Sequence, residues 1–195
     1  MIDRYLKLFD TTSEYEQYVG GGGMIIPNVS YCENDDIVKY SSDEILMTTE
    51  TNPEVLAICY ARGWCHNPNF MTKTEASLVT NIGSFDGNKT ITHFEELEYF
   101  NITSIATACF RNTKLTSITI PSKVTSIGSY AFYNCASLQT IYAKSTVAPT
   151  ITNNSFQAVK ANGTLYVPID SSGYNTWMSN GSFYLGQRNW TMTKI

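Results

Sequence analysis

Apolar residues recur through the middle of the chain with one spacing, three times over. Phe94-x-x-Leu97-x-Tyr99, Leu115-x-x-Ile118-x-Ile120 and Leu138-x-x-Ile141-x-Ala143 share it. Each is followed by a second apolar set: Ile102, Ile105 and Phe110; Val124, Ile127 and Phe132; Ile151 and Phe156. A period of about 22 to 24 residues is the signature of a solenoid, whose unit is one short strand and an irregular return. Such a unit cannot bury its own apolar row, so neighbours stack and share a core. Leu165-Tyr166-Val167-Pro168 echoes Ile118-Thr119-Ile120-Pro121 and predicts a closing strand. The expected fold is α+β: a short β-rich solenoid of about three repeats plus that strand, over residues 94–168.

The flanks follow other patterns. Met1 to Phe9 reads as a strand, and Glu14 to Val19 as a short helix capped by Thr12 or Ser13. Gly20 to Gly23 reads as a hinge, since no Gly-Lys-Ser/Thr follows to make a phosphate loop. Met24-Ile25-Ile26 and Val29 to Cys32 read as strand, with a turn at Glu33 to Asp36 and a return at Ile37 to Tyr40. Residues 1–50 are thus expected to form an extended, hairpin-bearing arm.

From Asn52 the spacing turns helical. Pro53 suits a first turn, Val55, Leu56, Cys59 and Tyr60 form a stripe, and Gly63 ends it. A second helix starts at Thr72, whose spacing to Glu75 is that of a capping box, and carries Ala76, Leu78 and Val79. Asp86-Gly87-Asn88, between Ile82–Phe85 and Thr90–Phe94, predicts a hairpin. Residues 51–93 form the expected helical N-terminal cap of the solenoid. Residues 169–195 abandon the period and form an aromatic C-terminal cap with Trp177 and Trp190 at its core.

Composition narrows the functional classes. The formal net charge is −4, from 13 basic and 17 acidic residues without a basic cluster, which argues against a nucleic-acid face. No apolar run is long enough to cross a membrane, and MIDRYLKLFD lacks the features of a signal peptide. The five cysteines have no framework spacing, so Cys109 and Cys135 read as small buried groups. Cys59, Cys65 and His66 lack a Cys-x-x-Cys pair and a fourth ligand for a metal site. Glu33, Asp35 and Asp36 lack the calcium-loop pattern, and Glu95, Glu96 and Glu98 read as the solvent face of the first repeat. His66 and His93 stand beside no recognised nucleophile motif. No catalytic residue, metal or cofactor is assigned, and the chain is expected to be non-enzymatic.

The stretch LTSITIPSKVTSIGSYAFYNC resembles the BspA-type bacterial leucine-rich repeat, in which a Thr/Ser-rich strand ending in Ile-Pro precedes Val-Thr-Ser-Ile-Gly and Ala-Phe. That resemblance covers about residues 94–168 and implies a leucine-rich-repeat solenoid used for binding and display. The segments FDTTSEYEQYV, IIPNVSYCE and NPEVLAICYARGWCHNPNFMTKTEA are similar to leading portions of virion proteins of tailed phages of gut bacteria, including crAss-like phages.

The second resemblance implies a phage structural protein, such as a head fibre, decoration or tail-associated subunit, made in the host cytoplasm and carried in the virion. Its arm, through Tyr5, Leu6, Leu8, Phe9, Met24, Ile25 and Ile26, would dock on other virion proteins. The chain would be a homo-oligomer, a trimer as phage fibres often are. Thr116, Ser117, Thr119, Tyr174, Trp177 and Tyr184 would face a glycan or cell-surface ligand. The alternative is a bacterial surface adhesin module of the same repeat family, binding host protein or glycan.

Overall fold

A computed structural model of the chain describes residues 30–32, 35–39, 44–152, 154–180 and 184–195. The proposed docking residues Tyr5, Leu6, Leu8, Phe9, Met24, Ile25 and Ile26, the expected 14–19 helix and the glycine run lie outside them. Two compact units divide the chain, one ending at Ala76 and the other beginning at Ser77.

In the first unit, β1 (Ser30–Cys32) pairs antiparallel with β2 (Asp35–Lys39), where a hairpin is expected, although the return begins at Asp35 rather than Ile37. β3 (Ile45–Thr48) pairs antiparallel with β4 (Phe70–Thr72), enclosing α1 (Pro53–Ala61). Proline at the first helical position fits because its missing N–H would be unpaired there anyway. The helix ends in a Schellman motif: Gly63 has φ +69°, its N–H reaches Tyr60 O at 3.0 Å, and Trp64 N–H reaches Cys59 O at 2.9 Å. Val55, Leu56 and Cys59 are buried, but Tyr60, read as part of the stripe, is exposed.

α2 (Lys73–Leu78) opens on the expected capping box. Thr72 N–H donates to Glu75 Oε2 at 2.8 Å, and Glu75 N–H donates to Thr72 Oγ1 at 3.1 Å. Leu78 is exposed, so the second apolar stripe is narrower than its sequence suggests.

The second unit is the solenoid. One parallel sheet runs in the order β11-β10-β8-β6, and a second in the order β5-β7-β9. The first contains β6 (Ser117–Ile120), β8 (Thr140–Ala143), β10 (Thr164–Val167) and β11 (Thr191–Lys194). The second contains β5 (Ser104–Ile105), β7 (Ser126–Ile127) and β9 (Thr150–Ile151). Ile118, Ile141 and Leu165 stand in one register row, and all three are fully buried. Strands with a two-residue period turn alternate side chains inward, so stacking in register places like on like.

Where each turn leaves the sheets, a phenylalanine points inward. Phe85, Phe110, Phe132 and Phe156 stack in a column with centroids 5.2, 5.5 and 5.4 Å apart and planes within 15°. Trp177 continues it, 5.2 Å from Phe156, and its indole N–H donates to Pro149 O at 3.0 Å. Around three of these rings the chain turns through left-handed residues two positions to either side: Gly83 and Gly87, Ala108 and Asn112, Tyr130 and Asn134. The turned-out N–H groups pair with the next coil, as in Phe110 N–H to Ala131 O at 2.8 Å and Asn112 N–H to Tyr133 O at 2.8 Å.

Four expectations change here. The solenoid begins before Phe94, because Phe85 is already a rung of the column. The hairpin at Asp86-Gly87-Asn88 does not form. Asn88 N–H closes a turn on Phe85 O at 3.0 Å, but the Phe85 and Gly87 N–H groups reach Cys109 O and Arg111 O at 2.6 and 2.8 Å, so the flanks pair with the next coil and not as two strands with each other. The first repeat's strand is instead a 3-10 helix, Glu95–Tyr99, which buries Leu97 and leaves Tyr99 exposed, with Phe100 buried just after it. β11 also continues the sheet inside the segment read as aperiodic, with Thr191 opposite Thr164.

Candidate functional site

The β6–β8–β10–β11 sheet has four strands against three in the β5–β7–β9 sheet, and its outer face is a regular surface. Register sets its rows: Ser117, Thr140, Thr164 and Thr191 form one, and Thr119, Tyr142, Tyr166 and Thr193 the next. Tyr142 and Tyr166 stack at 4.8 Å with planes 13° apart, so their ring faces are turned to each other and their phenol edges outward. Both are half-buried, like Thr140 and Thr164, while Thr191 and Thr193 are exposed. The face therefore presents hydroxyls, which both donate and accept hydrogen bonds, and carries no charge in these rows.

Charge lies at the rim. Ser117 Oγ donates to Glu95 Oε1 on the 3-10 helix, and Lys144 Nζ stands 3.3 Å from Glu98 Oε2. Four strands about 4.8 Å apart, with about 3.3 Å per residue, give a face of roughly 200 Å². That is a quarter of the ~800 Å² per partner typical of a stable protein interface. A face of this size is small for a stable protein interface on its own.

The candidate ligand residues separate by burial. Ser117 is half-buried on this face, and Thr116 beside it donates its hydroxyl to Thr92 O at 2.8 Å. Thr119, by contrast, is buried, because it lies between Tyr142 in register and the 3-10 helix packed on β6. Tyr174 and Trp177 are 2% and 1% exposed, so they cannot form a sugar shelf. They seal the end of the phenylalanine column, with Tyr174 edge-on to Trp177 and its hydroxyl donating to Ser145 O at 2.9 Å. Tyr184 is half-buried. Tyr142 and Tyr166 join the candidate face without having been expected there from the sequence. Their signal was present, since each sits 23 or 24 positions from the last outward residue of its row, Thr119 or Tyr142.

The acids and thiols serve the fold. Glu75 is buried and accepts from His66 N–H at 3.0 Å and Thr72 Oγ1 at 3.0 Å. Burial, and then the Glu75 carboxylate, push the Cys65 thiol up to about 12. Burial also raises Cys135, whose thiol donates to Phe110 O at 3.0 Å. Arg111 bonds Asp86 at 3.0 Å through Nε and holds its carboxyl below the usual range. Among the described residues no group of three or more His, Cys, Asp or Glu is placed to hold a metal ion, and no helix is long and apolar enough to cross a membrane.

A family model for the BspA type leucine rich repeat region matches residues 75–183, in six copies. No curated protein and no solved structure matches the chain.

Proposed function

The chain belongs to the BspA-type leucine-rich repeat family, and on that premise we propose that its solenoid is a non-catalytic module for contact with a protein or a glycan, carried by a structural subunit of a phage particle. The observation that carries the binding reading is the uncharged hydroxyl-and-phenol face of β6, β8, β10 and β11. It offers donors and acceptors in register rows and no group poised for proton transfer or nucleophilic attack. The virion reading rests on the resemblance of the segments before residue 77 to leading portions of tailed-phage structural proteins. The size of the face agrees with it, because a weak contact gains by factors of about 10² to 10⁴ when several copies engage together.

Solution mass tests the assembly half. Light scattering of the intact chain and of a version lacking residues 1–50 should give a homo-oligomer and a monomer respectively. Two monomers would remove the arm as an assembly device and move the bacterial adhesin module ahead. The binding half is tested by adding Thr164→Arg to the middle of the face and measuring adsorption to whole gut-bacterial cells. Unchanged adsorption would show that the contact lies elsewhere.

A further inference from the structure

Where the first repeat gives up its strand for a 3-10 helix, the coil no longer matches its neighbour. A groove of about 310 Å³ opens there, lined by Ser77, Glu98, Tyr99, Asn101, Ser122 and Lys123, with Phe100 and Pro121 as its apolar members. All of these lie in the solenoid unit. The volume is at the small end of the ~300–1,000 Å³ of ligand sites. From this geometry we propose that the groove binds a single neutral pyranose ring, at a site separate from the sheet face.

The lining chemistry selects that class. Tyr99 leaves 40% of its surface exposed, the largest uncovered aromatic surface of the first repeat, and Pro121 adds a second apolar patch. Flat apolar groups of this kind meet the C–H face of a sugar. Lys123 Nζ is held by Asn101 Oδ1 at 2.7 Å, which fixes the ammonium and leaves the Asn101 amide N–H groups to donate. Glu98 supplies a carboxylate acceptor in the same groove, kept in place by Lys144 at 3.3 Å. Ser77 and Ser122 add hydroxyls.

A ligand in this groove meets an anion and a cation together. An anionic ligand is opposed by Glu98 and a cationic one by Lys123. A neutral polyol, whose hydroxyls donate to the carboxylate and accept from the ammonium and amide, satisfies both. The groove exists because Tyr99 swings out of the core row that Ile120 fills one repeat later.

The test is a titration of the full chain with four neutral sugars, the methyl glycosides of glucose, galactose, mannose and N-acetylglucosamine, and with glucuronate and sialic acid as charged controls, followed by ¹H–¹⁵N spectra that include the Asn101 side chain. One of them should shift Asn101 and Lys123 saturably, with a dissociation constant on the order of 1 mM. Tyr99→Ala and Lys123→Ala should each weaken it about tenfold or more, with thermal unfolding of both variants showing that they fold. Absence of saturable shifts for all four sugars overturns the proposal. So does binding that survives both substitutions, or binding confined to glucuronate or sialic acid, which would make Lys123 a plain anion contact. Shifts centred on Tyr142 and Tyr166 would support the sheet face and sink the groove. Failure here leaves the sheet-face and particle readings standing, since neither depends on Tyr99, Asn101 or Lys123.

Discussion

At the scale of single residues, backbone proximity and burial decide more than side-chain type. Gly128, in the Ser-Ile-Gly of the middle repeat, has ordinary φ, yet a Cβ there would lie 2.6 Å from Thr107 N and 3.0 Å from Thr107 Cα. Those atoms are backbone of the preceding coil and cannot step aside. Gly128→Ala should therefore cost about 1–3 kcal/mol, as overpacking does. Gly63→Ala provides the contrast: a Cβ there meets nothing within 4 Å, and the cost is only that of φ +69°, about 1 kcal/mol. Urea midpoints of the two variants measure the difference, and equal losses would mean the coils can part to admit a methyl.

The buried ionisable groups set a pH limit from the same scale. Cys65 is raised from 9.0 to about 12 and Tyr174 from 10.0 to about 12, both chiefly by burial. The unfolded chain releases these protons first as pH rises, so the folded state is favoured fully below about pH 9 and loses stability between about 9 and 12. Thermal midpoints should be flat up to pH 9 and then fall, with Cys65→Ser removing part of the fall. A fall beginning near pH 7 would need another group.

At the scale of elements, the solenoid carries an aromatic column inside and a stacked aromatic pair outside, and they should behave differently. Phe132 is fully buried with a parallel ring on either side, at 5.5 and 5.4 Å. Phe132→Ala removes those contacts and leaves a cavity in the middle of the core, at an expected 3–5 kcal/mol. Tyr142 stacks on Tyr166 outside the sheet and is half-buried, so Tyr142→Ala should cost about 1 kcal/mol and leave a folded protein for binding assays. Chemical denaturation of both tests the ranking.

The same elements show what was legible from sequence. The inward rows at Leu115, Ile118 and Ile120 and at Phe110 and Phe132 could be read because burial on one side of a strand or turn fixes residue type at a fixed period. The capping box at Thr72 and Glu75 and the helix stop at Gly63 were legible for a local reason, since each is a short-range pattern of backbone hydrogen bonds. Phe85 was not recognised as a rung, because the Asp-Gly that follows it is a stronger local signal for a hairpin than a single ring is for a stack. The turn's N–H groups had partners one coil away, and no local pattern reveals that. The sequence puts Tyr174 and Trp177 on a ligand face because aromatic content does not show which way a ring points. Thr119 reads like its half-buried neighbours Thr116 and Ser117, and only the 3-10 helix against β6 and Tyr142 beside it bury it.

At the scale of the whole solenoid, the question is what closes the end that continued stacking would cover. Residues 169–195 do this with Tyr174, Trp177, Leu185 and Trp190, all at most 5% exposed. Trp177 takes the ring position after Phe156, and Trp190 lies on Gly163, where even a Cβ would come within 2.5 Å of its ring. β11 adds the last strand beside β10, and Lys194, opposite Val167 in the inward row, turns its ammonium to Ile169 O at 2.9 Å. A lysine there ends the apolar row with a charge that needs water or carbonyls, so the row does not invite another coil.

Burying four side chains of this size contributes roughly 1.5–3 kcal/mol each. Their sum, on the order of 6–12 kcal/mol, is as large as the ~5–15 kcal/mol that separates folded from unfolded states in most domains. Deleting residues 169–195 should therefore abolish cooperative unfolding rather than merely lower the midpoint, and should expose Phe156 and Leu165 to a hydrophobic dye. Circular dichroism melts and dye fluorescence of the 1–168 chain would check this. A cooperative melt within a few degrees of the intact chain would mean that the solenoid closes its own end at β10, and that the terminal aromatics are an addition to a core already complete.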